Sequence, residues 1–281
     1  MTASDQPPAT QSPRALIVTV FGLYVREAGG WISVSRLIGL MGVLGIDAQA
    51  VRSSISRLKK RGVLDSERRD NIAGYALSPY AEGVLAEGDR RIFRREEPSD
   101  SDWVLAVFSV PEAEREKRHA LRSRLSWLGF GTVSSGVWIA PGHVADDARE
   151  VLARDGLEKY VDLFHADHIG YDDLTTRVAQ WWDLERIDAL YRDFISKHQP
   201  LLARWAGRRS SPDLGAEAFA DYVRALTAWR QLPYLDPGLP VGLLPPAWSG
   251  SAAARLFADL KSTLESMAHD YVVGGGGEAG D

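Results

Sequence analysis

Residues 47–62 read Asp47-Ala48-Gln49-Ala50-Val51-Arg52-Ser53-Ser54-Ile55-Ser56-Arg57-Leu58-Lys59-Lys60-Arg61-Gly62, and this stretch decides the fold of the first third of the chain. An aspartate ahead of a helix-forming run offers its carboxylate to the free amides of the first turn, and a glycine after a basic end supplies a stop. Between them Val51, Ile55 and Leu58 recur at the spacing of one helix face. At 100° per residue the opposite side presents Gln49, Ser53, Ser56 and Lys60, flanked by Arg52, Arg57 and Lys59. No carboxylate follows Asp47 until Asp65. A solvated helix face usually mixes both signs of charge. One with amides, hydroxyls and cations only suits base edges and phosphates.

Working outward, the spacing predicts a helix from Pro13 to about Ala28 that carries Ile17, Val20, Phe21 and Tyr24 and ends at Gly29-Gly30. A short second helix, capped by Ser33 or Ser35, carries Leu37, Ile38, Met41 and Leu44 before Gly45. After the quoted stretch, Val63–Arg69 and Gly74–Ser78 read as two strands around the turn Asp70–Ala73, a hairpin with Arg68 and Arg69 near its tip. A further helix runs from about Tyr80 to Arg95 and ends in Arg90, Arg91, Arg94 and Arg95; Glu96–Asp100 marks a boundary. The order is that of a winged helix-turn-helix over residues 13–96. Base-edge contacts are expected from Gln49, Arg52, Ser53 and Ser56, phosphate contacts from Arg57 and Lys60, and minor-groove or phosphate contacts from Arg68 and Arg69.

Charge divides along the same line. The 281-residue chain carries a net charge of −5, yet residues 12–96 hold 14 basic against 9 acidic side chains and residues 97–281 hold 19 against 28. A basic module on an acidic body is expected where one part meets a polyanion. The chain has no cysteine, which excludes disulfides, thiolate metal sites and cysteine nucleophiles and fits a reducing cytosol. The polar start, Met1–Ser12, reads as a loose tail without the pattern of a signal peptide. The longest apolar run, Ala15–Val25, falls short of the ~20 residues of a membrane span. The expectation is a soluble, cytoplasmic protein with no membrane partner.

Beyond residue 100 the pattern changes. Trp103–Val110 reads as a buried strand, followed by a helix with Leu121, Leu125 and Leu128 on one face. Phe130–Ser134 and Val137–Ala140 read as a hairpin, then come a helix from Val144 to Asp155 and a strand from Tyr160 to Phe164. This β-α-β-β-α-β order predicts a ferredoxin-like module over 101–168. From about Asp172 the chain reads as helical to residue 273. Its stripes are Leu184, Ile187, Tyr191 and Ile195, then Phe219, Tyr222, Val223 and Leu226, then Leu256, Phe257, Leu260, Leu264 and Met267. The proline-rich connection Pro233–Pro246 separates the last two helices, and Gly274–Gly277 is a tail with no phosphate-loop context. The fold class is therefore α+β, with a winged helix-turn-helix, a central ferredoxin-like module and a C-terminal helical module.

Three stretches carry a resemblance. The first is Gly45-Ile46-Asp47 through Val51–Leu58 to Gly62-Val63-Leu64. The second is Trp181-Trp182-Asp183-Leu184-Glu185 with Tyr191–Phe194. The third is Leu232-Pro233 to Asp236-Pro237, Leu239-Pro240, Leu243–Trp248 and Ala253 to Leu256-Phe257. In this order the chain resembles the PaaX family of bacterial repressors, which control phenylacetate catabolism. It departs at Val63, where that family tends to an aromatic residue, and at Ser249, where a proline often follows the tryptophan. The resemblance implies a homodimer that binds an inverted-repeat operator in double-stranded DNA and is released by an acyl-coenzyme A, typically phenylacetyl-CoA.

Catalytic motifs are absent: there is no G-x-S-x-G, no H-E-x-x-H and no P-loop. His165 and His168 with Asp167 have no evident third metal ligand nearby, so neither a metal nor a catalytic residue is assigned, and no cofactor is expected. In topology the middle module is similar to a small CRISPR-associated nuclease family. That family holds its metal on an acid at the end of the first strand, and here Ser109-Val110-Pro111 stands there. A metal-dependent nuclease and a non-DNA-binding adaptor are thus the competing readings. Among nine tryptophans most are assigned to cores. Trp229 beside Arg230 is held as an effector-pocket candidate, because an aromatic face next to a cation suits an aromatic acyl-CoA. Arg177, Arg186, Arg192, Arg204, Arg208, Arg209 and Arg224 could add cations for the coenzyme tail, with the site expected between the C-terminal helices and the middle module.

Overall fold

The computed structural model describes residues 11–93, 102–171, 173–208 and 211–275. Arg94, Arg95, the Glu96–Asp100 boundary, Asp172, Arg209, most of the N-terminal tail and the end of the glycine run lie outside them. The chain mixes helices with two antiparallel sheets and divides into two compact units. One consists of Met1–Arg90, Ile195–Trp229 and Ala254–Asp281; the other consists of Arg91–Phe194 and Arg230–Ala253.

In the first unit, α1 (Pro13–Val20) is capped by Ser12 and runs on as a π-type turn over Phe21–Val25. Gly29 and Gly30, at φ 88° and 75°, then turn the chain. After β1 (Trp31–Ser33), Ser33 caps α2 (Val34–Val43), and Asp47 caps α3 (Ala48–Lys60) through the Ala50 amide at 2.8 Å. Strands β2 (Leu64–Arg69) and β3 (Ile72–Leu77) complete a three-stranded sheet of order β1-β3-β2, and α4 (Pro79–Phe93) follows. Gly74 opposes Ser33, where an added Cβ would strike the Trp31 ring and the Ile32 carbonyl, so only glycine fits there.

The turn between β2 and β3 is shorter than the sequence suggested. It holds only Asp70 and Asn71, both left-handed at φ 48° and 64°, while Ile72 and Ala73 pair with Arg69 and Arg68. Two successive left-handed residues make the hairpin turn whose twist matches the strands, and Asp and Asn tolerate that backbone.

The same unit takes in α9 (Gly215–Trp229) and the larger part of α11 (Gly250–Val273). Leu16, Ile17 and Val20 of α1, Phe21 of the π-type turn, Leu37, Leu40 and Met41 of α2, and Val51, Ile55 and Leu58 of α3 are buried with Phe219, Tyr222 and Val223 of α9. Burying one such side chain contributes about 1.5–3 kcal/mol. On α11 the buried row runs through Ala268 to Val272 and passes by Met267, which stays half-buried.

The second unit is built on a four-stranded sheet. Its elements run β4 (Trp103–Phe108), α5 (Arg115–Trp127), β5 (Gly131–Ser134), β6 (Val137–Pro141), α6 (Ala145–Arg154) and β7 (Val161–Ala166). The strand order is β5-β6-β4-β7 with every pairing antiparallel. Val104, Ala106 and Phe108 of β4 and Trp138 and Ala140 of β6 face Leu121 and Leu125 of α5 and Val151 and Leu152 of α6. On the other face Trp103 meets Trp181 of α7 (Leu174–Trp181) and Trp182, at ring distances of 6.1 and 6.2 Å. Trp182 Nε1 donates to the Gly129 carbonyl at 2.9 Å.

Helix α8 (Leu184–Trp205) serves both units in turn. Its buried stripe in the second unit is Leu184, Ile187, Tyr191 and Phe194, so Phe194 takes the place expected of Ile195, which is half-buried and begins the part assigned to the first unit. The connection after α9 contains α10 (Leu232–Leu235) and a short 3₁₀ turn at Val241–Leu243.

Candidate nucleic-acid interface

Helix α3 carries the site because its two faces have opposite chemistry. Val51, Ser54, Ile55 and Leu58 are buried, which turns Gln49, Arg52, Ser53, Ser56, Arg57 and Lys60 outward, all exposed. None of those six side chains makes a hydrogen bond or ion pair among the described residues. At 13 residues the helix is about 20 Å long, and a bare α-helix fits a major groove ~12 Å wide. Lys59 and Arg61 extend the exposed cationic border toward the C-terminus.

The β2–β3 hairpin adds two arginines with different freedom. Arg68 is exposed, and its Nη2 donates to the Asn71 carbonyl at 2.7 Å, which holds it at the tip. Arg69 is more tightly engaged. Its Nε donates to Glu67 at 2.7 Å, its Nη1 donates to the Gly29 carbonyl at 3.0 Å, and its guanidinium lies 5.7 Å from the Trp31 ring centre. Both remain on the surface, but Arg69 has partners to leave before it could meet an external anion.

The effector candidates are placed differently. Trp229 is buried in the first unit, where its ring stacks on Phe257 at 5.0 Å and 11°. Arg230 begins the next stretch of the second unit, and burial pulls its guanidinium pKa below the ordinary arginine value. Several other arginines expected to converge are engaged close to home. Arg192 pairs with Asp188 at 2.9 Å, Arg208 with Glu217 at 2.8 Å, and Arg204 with Asp221 and Glu217. The described residues hold no group of three or more metal-ligating side chains, His165 and His168 included. Strand β4 ends at Phe108, and Ser109 follows it where a metal-binding acid would be needed.

The sequence carried no sign of Arg36, and it offered Arg224 only as a cation for a coenzyme tail, yet both are engaged within the first unit. Arg36 of α2 donates to the Val272 carbonyl at the end of α11, and Arg224 of α9 donates to the Leu44 carbonyl at the end of α2, at 3.1 Å. No local pattern signals either contact, because the partners lie 236 and 180 residues apart.

A helix with a carboxylate-free outer face beside an arginine-tipped hairpin has the chemistry that suits a polyanion. Three family models match in order: the PaaX-like protein model over residues 12–81, the PaaX protein central Cas2-like domain over 96–178, and the PaaX-like protein C-terminal domain over 182–274. The chain belongs to the PaaX family. It is 27% identical over 267 residues to the transcriptional repressor PaaX of Escherichia coli (strain K12), covering 93% of this chain and 83% of that protein. A solved structure, the uncharacterized protein Rv0674 from Mycobacterium tuberculosis, superposes with a TM-score of 0.57 over 93% of this chain and 99% of that one. Its identity is 20%, and it shows the fold alone.

Among the described residues no single helix is long and apolar enough to cross a membrane.

Proposed function

We propose that this protein is a transcriptional repressor that binds double-stranded operator DNA through a winged helix-turn-helix, with α3 as the recognition helix and β2–β3 as the wing. The observation that carries this is the outer face of α3, which holds six exposed polar or cationic side chains, no carboxylate and no partner among the described residues. Gln49, Arg52, Ser53 and Ser56 read base edges, while Arg57, Lys60 and Arg68 hold phosphates, with Arg69 joining once released from Glu67. The family membership and the repressor relative support the reading. The central module is read as ferredoxin-like, with the order β4-α5-β5-β6-α6-β7 and the strand order in its favour, and it carries no catalytic role. Functionally the chain divides into 13–96, 101–168 and 172–273.

The finer proposal is a cytoplasmic homodimer on an inverted repeat, released by an acyl-CoA, aromatic in its acyl group, whose site includes Trp229 and Arg230. Release requires a ligand with higher affinity for the free form than for the DNA-bound form. The test is selection of binding sites from a random duplex library with the full chain, followed by titration of the selected complex with phenylacetyl-CoA, free coenzyme A and phenylacetate. Recovery of one inverted repeat and release by the thioester alone is expected. Failure to enrich any sequence sinks the DNA reading. Enrichment with no response to thioesters sinks only the effector.

A further inference from the structure

The first unit joins the DNA-facing elements to α9 and α11, and the contacts have a common logic. A helix leaves its last carbonyls without intrahelical donors, and a cation there also complements the helix dipole. Helix α2 has no basic residue in its last turn, nor does α11. Each receives one from the other side of the unit. Arg224 of α9 donates to the Leu44 carbonyl at the end of α2, and Arg36 of α2 donates to the Val272 carbonyl at the end of α11. A third tie joins α1 to α9, where the hydroxyls of Thr19 and Thr227 meet at 2.7 Å in a buried position.

Leu44 is the pivot. It ends α2, and the connection Gly45-Ile46-Asp47 leads directly to the carboxylate that caps α3. Moving the Leu44 carbonyl therefore swings α3. Over about 20 Å of helix, a tilt of a few degrees displaces the far end by about 1–2 Å, enough to break a base-edge hydrogen bond. We infer that Arg224 is a positioning residue of the DNA interface: it touches no DNA, but with Arg36 and the Thr19–Thr227 pair it fixes the angle at which α3 is presented. A ligand that shifts α9 or α11 thereby acquires a route to the recognition helix.

This inference rests on the DNA-binding reading, and its test keeps the two apart. Full-length Arg224→Gln, Arg224→Lys and Thr227→Val are compared with the parent in amide hydrogen exchange without DNA, and in affinity for a parent-selected operator and for unrelated duplex. In R224Q, exchange at Gly45, Ile46 and the first turn of α3 should rise. Operator affinity should fall about 5- to 150-fold, the range of a typical coupling, while affinity for unrelated duplex stays at the parental level. R224K, which can still donate to the Leu44 carbonyl, should recover most of the loss, and T227V should show a smaller change of the same kind. Should R224Q fail to fold, R224K and T227V carry the comparison. Parental exchange at 44–50 in the variants overturns the tie even if the parent binds no DNA. Changed exchange with unchanged operator affinity overturns its role in positioning α3.

Discussion

Tyr191 donates its phenolic proton to Asp236 at 2.7 Å, in a buried setting within the second unit. The same carboxylate accepts the Gly238 amide at 2.9 Å, and the Tyr191 ring meets the edge of Trp248 at 5.7 Å. Asp188, one turn before Tyr191 on α8, accepts the Ser249 amide at 2.7 Å. A proline-rich segment that composition alone would leave as a loose connection is thus fastened to α8 at both ends.

Replacing Tyr191 by Phe removes the donor and leaves the Asp236 carboxylate short of a partner in a dry place. A loss of about 1–3 kcal/mol is expected, read from urea unfolding followed by tryptophan fluorescence. Unchanged stability would mean that water reaches Asp236.

Trp229 stacks on Phe257 in the core of the first unit. Trp229→Ala should cost about 3–5 kcal/mol, and Trp229→Phe much less, because the stacked face is kept. Thermal melting checks this. A Trp229→Phe protein of parental stability that no longer binds any acyl-CoA would put this side chain in the effector site.

On α3 the two assigned roles separate by salt. Lys60→Ala should weaken binding to all duplexes and flatten the log–log salt dependence by about two, one phosphate contact per protomer of a dimer. Arg52→Ala should instead cost about 1–3 kcal/mol per half-site and relax sequence preference. Fluorescence anisotropy at several salt concentrations distinguishes them, and parental behaviour in both variants would remove α3 from the interface.

Tyr24 and Tyr222 should resist alkali. Burial, then the nearby Glu265, pushes both phenols well above the ordinary tyrosine range, with Glu27 adding to it. Because the folded pKa is raised, their contribution to stability is complete below pH ~10, the unfolded value, and declines as the pH rises beyond it. Absorbance at 295 nm should therefore show two of the nine tyrosines ionising only together with unfolding. Complete titration in the folded protein would contradict the burial of these rings.

The sequence by itself determined what depends on neighbours along the chain. Asp47, the Val51-Ile55-Leu58 stripe and Gly62 define α3 and therefore its outer face, since a cap, a helical period and a stop act within a few residues. The alternation of strands and helices from Trp103 to Ala166 was legible for the same reason, as was the glycine turn before β1. What only the tertiary structure decided depends on partners far apart in sequence. Trp229, which the sequence offered as an effector-pocket candidate, is buried with Phe257 stacked against it, and Phe194 displaced Ile195 from the buried stripe where α8 changes units. The end of α2 found its cation in Arg224, 180 residues away. A helix terminus states in the sequence that it lacks a donor; which side chain supplies it is settled only when packing brings the two together.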